Sequence, residues 1–130
     1  MNTVIRFLTI DEIKLIYKNQ IEHYGGYYGI RNENLLMSSI AMPSAGFGNE
    51  YFHKDIYHMG AAYCFHICMN HPFIDGNKRT GLASALVFLD LNGIRILDLD
   101  KVLYDTIIEL CSGNISKEKL ADIFESLSRN

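Results

Sequence analysis

Five side chains within nine positions, His71, Asp75, Asn77, Lys78 and Arg79, have the types and spacing to do chemistry. They stand in the run His71-Pro72-Phe73-Ile74-Asp75-Gly76-Asn77-Lys78-Arg79. His71 is the one side chain among them suited to take up a proton near neutral pH. The turn Asp75-Gly76-Asn77 leads into a long apolar stretch and so ends at a helix N-terminus, where free N–H groups and the helix dipole favour an anion. Gly76 permits a backbone shape and a close approach that a side chain would block. Lys78 and Arg79 fall in the first helical turn, where cations oppose the dipole and acidic residues are the rule. Two cations there point to a strong anion such as a polyphosphate, with Arg gripping oxygens as a fork and Lys acting as a point charge. Asp75 is then the natural ligand for Mg²⁺, which takes few protein carboxylates and draws its other oxygens from phosphates and water. A plainer alternative fits the same residues. Asp75 or Asn77 could simply cap the helix, with Lys78 and Arg79 facing water, although polar groups beside a core are costly unless paired.

The elements that must position this run are helices. Met59, Ala62, Tyr63, Phe65 and Ile67 cover much of the circumference of a helix over about 55–69. Leu82, Ala85, Leu86, Val87, Phe88, Leu89 and Leu91 do the same over about 77–92, with Gly93 as its stop. Helices apolar nearly all round are buried. Before them, Thr9 and Glu12 fit a capping box that starts a helix ended by Gly25-Gly26. A short helix is expected at about 34–41, and 43–49, with Pro43 and two glycines, reads as loop. After the central pair come a brief extended segment at 94–97 and helices at about 100–111 and 116–128, with Gly113 between them. The fold class is therefore all-α, a compact helical domain around two central buried helices, with residues 1–130 as one domain.

Composition narrows the rest. Twelve Lys and Arg against fifteen Asp and Glu give a net charge of −3, which disfavours sequence-independent nucleic-acid binding and, with no basic recognition helix, a DNA-binding regulator. Salt-dependent DNA binding would revive that reading. The start, Met1-Asn2-Thr3-Val4-Ile5-Arg6, lacks the pattern of a signal peptide, and residues 59–74 are too short and polar to span a bilayer. A cytoplasmic protein with no membrane partner is expected. Cys64, Cys68 and Cys111 read as buried core thiols, with a metal site on Cys64, Cys68 and a nearby His as the lesser alternative. His66 reads as a satisfied core histidine, and His23, His53 and His58 carry no evident role. Gly81, inside a helix, is explained by close helix packing.

His71 to Arg79 resembles the Fic/Doc signature His-x-Phe-x-(Asp/Glu/Asn)-(Gly/Ala)-Asn-(Gly/Lys)-Arg, position by position. Tyr24-Gly25-Gly26, Gly29-Ile30-Arg31, Leu35-Leu36, Phe47-Gly48 and Thr80 through Gly93 are also similar to the Doc (death-on-curing) branch. Lys78, where Fic proteins carry Gly, and Leu82, where they carry a second Arg, both match Doc. The resemblance implies a toxin that transfers the γ-phosphate of ATP to a Thr or Ser hydroxyl of a target protein, elongation factor Tu, and so blocks translation. It implies His71 as general base, Asp75 as the Mg²⁺ ligand, and Gly76, Asn77, Lys78 and Arg79 as the phosphate-binding set. Pro72 and Phe73 would anchor the loop in the core. Tyr27, Tyr28 and residues 43–50 are candidates to touch the target. None of the glutamates has Ser or Thr four residues before it, so the self-inhibitory helix pattern of many Fic proteins is not found, and a separate Phd-like antitoxin is implied. Two other readings stand beside this one: a Fic-type protein AMPylator, and a non-catalytic partner-binding module.

Overall fold

Thr9 and Glu12 form the reciprocal cap that the sequence calls for: Thr9 Oγ1 accepts from Glu12 N at 3.2 Å and Glu12 Oε1 accepts from Thr9 N at 2.9 Å. They open α1 (Ile10–Tyr24), which ends at Gly25, where φ is +83°. The computed structural model describes residues 4–129. Met1–Thr3, part of the segment read as lacking a signal peptide, and Asn130 lie outside the described residues. Along these, α2 spans Glu33–Ala41, α3 Ile56–Asn70, α4 Asn77–Leu91, α5 Leu103–Cys111 and α6 Lys117–Leu127. Among the described residues no helix is long and apolar enough to cross a membrane.

The expected all-α architecture holds, and α3 and α4 are its central pair. α4 lies along α3, α6 and α2 also pack on α3, and α1 packs on α4. Tyr63, Cys64, Ile67 and Cys68 of α3 and Ala85, Phe88 and Leu89 of α4 are fully buried. Two glycines allow the close approach. A Cβ on Gly81 would stand 3.0 Å from both Cys64 O and Cys68 Sγ, and one on Gly60 would stand 3.1 Å from Leu89 Cγ. Close packing at Gly81 is thus observed.

Several boundaries differ from the sequence reading. The stretch 43–49 is not all loop: β1 (Gly46–Phe47) lies within it and pairs antiparallel with β2 (Glu50–Tyr51) about a tight turn in which Gly48 has φ +64°. α5 starts at Leu103 rather than near 100, because Lys101 takes φ +55° and Asp98 caps from outside the helix, accepting from Val102 N at 2.8 Å and Leu103 N at 3.0 Å. The extended segment after α4 is real. It forms β3 (Arg95–Ile96), which pairs with β4 (Ser128–Arg129), so α6 stops one residue early.

Cys64 and Cys68 are buried thiols as expected, whereas Cys111 is half-buried. Among the described residues no group of His, Cys, Asp and Glu is placed to hold a metal ion on protein ligands alone. His66 is not a satisfied core histidine, for its Nε2 is buried without a partner among the described residues. His53, for which no role was evident, lies 3.0 Å through Nε2 from Lys117 Nζ, and His58 bonds Asp55 at 2.7 Å.

Candidate active site

The α3–α4 connection is short, and every residue in it is tied down. α3 ends at His71, which takes the left-handed conformation with φ 48° and ψ 55°. Pro72 and Phe73 then dive into the core and are buried, the anchoring expected of them. The Phe73 ring stacks on Tyr17 of α1 at 3.9 Å between centroids. Residues 29–32 run alongside. Pro72 O accepts from Arg31 N and Asn32 N, Gly29 O accepts from Ile74 N at 2.9 Å, and Ile30 bridges Phe73 antiparallel. The Tyr17 hydroxyl braces this strip from below, accepting from Gly29 N at 2.7 Å and lying 3.0 Å from Gly29 O.

Gly76 is the N-cap of α4, with φ +77°, and no side chain caps the helix. The alternative in which Asp75 or Asn77 caps α4 is therefore not what forms. The position needs glycine for its angle, and a Cβ there would also meet the side-chain tips of Ile21 at 3.0 Å (Cδ1) and Arg79 at 3.4 Å (Nη2). With no cap, the first N–H groups of α4 stay open to an anion.

His71, Asp75, Gly76, Asn77, Lys78 and Arg79 all line one open cleft of about 360 Å³, together with Ile74 and Tyr104. All six residues singled out from the sequence therefore meet. Their present engagements differ. Asn77 closes a small ring with Phe73: its Oδ1 accepts from Phe73 N and its Nδ2 donates to Phe73 O, both at 3.0 Å. One N–H of that amide is left for a ligand. Asp75 Oδ2 accepts from Tyr27 N at 3.2 Å and Oδ1 from Gly76 N at 3.1 Å. Arg79 Nη2 donates to Gly25 O at 2.9 Å, and its guanidinium lies 5.7 Å from the Tyr24 ring centroid. The glycine loop after α1 is thus pinned by two site residues, and Gly26 is suited to its φ of +116°, where a Cβ would also come 2.9 Å from Asp75 Oδ2.

Tyr104, from α5, escaped the sequence reading. It is 67% exposed and also lines an adjoining apolar groove with Tyr24, Arg79, Leu82 and Leu86. An exposed tyrosine on an amphipathic helix carries no local signal of such a role. Tyr27 is exposed at the rim, and Tyr28 stacks on Tyr17 at 5.0 Å. The 46–51 hairpin contributes no residue to the cleft. It exposes Phe47 and rests Tyr51 against Phe7.

A family model described as the Fic/DOC family matches residues 7–89, which include the connection and both central helices. The chain belongs to the Fic/DOC family. It is 30% identical over 123 residues to the protein kinase doc of Escherichia phage P1, covering 95% of this chain and 96% of that protein. It is 32% identical over 81 residues to the toxin Doc of Mycolicibacterium smegmatis (strain ATCC 700084 / mc(2)155), covering 60% of this chain and 62% of that protein. Within the Fic/DOC family the chain falls in the Doc branch, as Lys78 and Leu82 lead one to expect.

Proposed function

We propose that this Fic/DOC chain is a Doc-type toxin that moves the γ-phosphate of ATP onto a Thr or Ser hydroxyl of a target protein, elongation factor Tu, and so stops translation. The observation that carries the reading is the cleft itself: one imidazole, one carboxylate, an uncapped helix N-terminus and two cations share it. Its volume of about 360 Å³ suits a polyphosphate with a reacting hydroxyl. The kinase name of the phage relative supports phosphoryl transfer.

His71 accepts the proton of the attacking hydroxyl as its oxygen bonds to the γ-phosphorus. The bond from that phosphorus to the β–γ bridging oxygen breaks, and ADP leaves. The N–H groups after Gly76 and the spare N–H of Asn77 bind phosphate oxygens. Lys78 and Arg79 hold further oxygens and offset charge in the transition state; the four guanidinium N–H donors of Arg79 not used on Gly25 are free to serve. Asp75, the single carboxylate among the described residues lining the cleft, fits Mg²⁺, which binds through one or two carboxylates and completes its shell from phosphate and water. Bound there, the ion would neutralise the charge of the phosphates. A Phd-like antitoxin is the partner this reading calls for. The apolar groove of about 380 Å³ beside Arg79, lined by Gln20, Tyr24, Leu82, Leu86 and Tyr104, suits one face of an amphipathic helix.

The deciding experiment incubates the protein, Mg²⁺ and a bacterial lysate with ATP labelled at the α- or the γ-phosphate, with His71→Ala as control. Labelling from γ-labelled ATP alone, lost in the variant, is the expected result. Labelling from α-labelled ATP would make the chain an AMPylator. With neither label, and elongation factor Tu present and unmodified, a binding module would replace the enzyme.

A further inference from the structure

Three successive carbonyls at the end of α3 are held by one neighbouring segment. Arg31 Nε donates to His71 O at 2.6 Å, and Arg31 Nη2 donates to Asn70 O at 2.9 Å. Pro72 O accepts from the backbone N–H groups of Arg31 at 2.7 Å and Asn32 at 3.1 Å. Both guanidinium bonds go to main-chain oxygens, so this side chain is spent on the backbone.

The two carbonyls that Arg31 forks across belong to the two peptide units flanking the His71 Cα. Peptide units are planar. Fixing both planes therefore fixes φ and ψ of His71, and with them the direction of its Cα–Cβ bond. The first plane is held from its other side as well, for His71 N donates to Ile67 O at 3.2 Å. The conformation so fixed is left-handed, which a residue with a Cβ adopts only when its surroundings impose it. His71 nonetheless lines the cleft.

We propose that Arg31 is a positioning residue: its guanidinium clamps both peptide planes of His71 and so aims the imidazole at the reacting hydroxyl. The inference rests on the reading of His71 as proton acceptor. Arg suits the task because its donors are set in a rigid fork, whereas Lys can reach the carbonyls only as a point charge. A cation at a helix C-terminus also stabilises the helix. A residue that did only this would move stability and leave the imidazole unchanged.

The test uses the full chain with Arg31→Ala and Arg31→Lys. It measures γ-phosphate transfer, thermal unfolding and the ¹⁵N resonances of the His71 ring, assigned by their loss in His71→Ala. Arg31→Ala is expected to lower kcat by about 10- to 100-fold, the scale of a small misplacement of a reacting group. KM for ATP should stay within about twofold, because ground-state binding is untouched. Arg31→Lys should fall between, guanidinium ion at low concentration should restore part of the Ala variant's rate, and the His71 resonances should shift in both. A kcat within about twofold of wild type in both variants would overturn the inference. So would a loss of rate that follows loss of stability while the His71 resonances stay in place. Should the wild-type protein transfer no phosphate, the proposed reaction falls, and the His71 resonances alone decide: displaced by Arg31→Lys they support the clamp, unmoved they sink it.

Discussion

At the scale of single residues, the site joins groups that would otherwise be unwelcome where they stand. Lys78 and Arg79 oppose the dipole of α4, and His71 and Gly76 both take positive φ. His71→Ala should reduce transfer by about 10²- to 10⁴-fold, the usual contribution of a general base, with the urea midpoint little changed because His71 is exposed. Gly76→Ala should destabilise the fold by about 1–2 kcal/mol through its left-handed angle, and its Cβ would press on Ile21 and Arg79. Paired urea titration and transfer assays check both, and Gly76→Ala should lose activity even under conditions where it stays folded. The run from His71 to Arg79 was legible in the sequence because its chemistry is contiguous. The partners of its members were not. Tyr27 N on Asp75, Gly25 O on Arg79 and Tyr104 across the cleft arrive only through folding.

At the scale of elements, α3 and α4 must touch closely if the connection between them is to be short and fixed. Gly81→Val would push a branched side chain into Cys64 O and Cys68 Sγ, and should lower stability by about 1–3 kcal/mol in thermal or urea unfolding. Helix periodicity revealed both central helices and the cap at Thr9, since apolar spacing and cap chemistry are local. The start of α5 was misplaced because its cap is remote: Asp98 reaches Val102 and Leu103 across a left-handed Lys101. The hairpin at 46–51 was missed because two-residue strands leave no alternating pattern to read. Asp98→Ala should cost about 1 kcal/mol, the worth of a helix cap, and speed amide exchange at Val102 and Leu103.

At the scale of the whole molecule, stability should depend on pH through histidines held uncharged between elements. Burial first, and then the charge of Lys117 and the neighbouring His53 as it protonates, push His66 of α3 down to about 4 from 6.5. His53 moves the same way, through burial and then Lys117. The unfolded chain takes up these protons near pH 6.5 and the folded chain takes up that of His66 only near 4. Acid therefore favours unfolding: the stabilisation is full above about pH 6.5 and is lost as pH falls toward 4. The urea midpoint should drop between pH 7 and pH 5, and His66→Gln should flatten that drop. Glu12 and Asp55, both lowered, add a further loss at still lower pH, as their carboxylates protonate. A different consequence follows from the grip of Asp75 on Tyr27 N and of Arg79 on Gly25 O. The protein's own loop is an incumbent on the two side chains proposed to receive Mg²⁺ and phosphate, with one donor of Arg79 in use and four remaining, so nucleotide capture either shares these side chains with the loop or takes them from it. If the loop is evicted, amides at 25–28 should exchange faster when ATP and Mg²⁺ bind, the reverse of ordinary ligand protection. Slower exchange there would mean that host and both guests are held together.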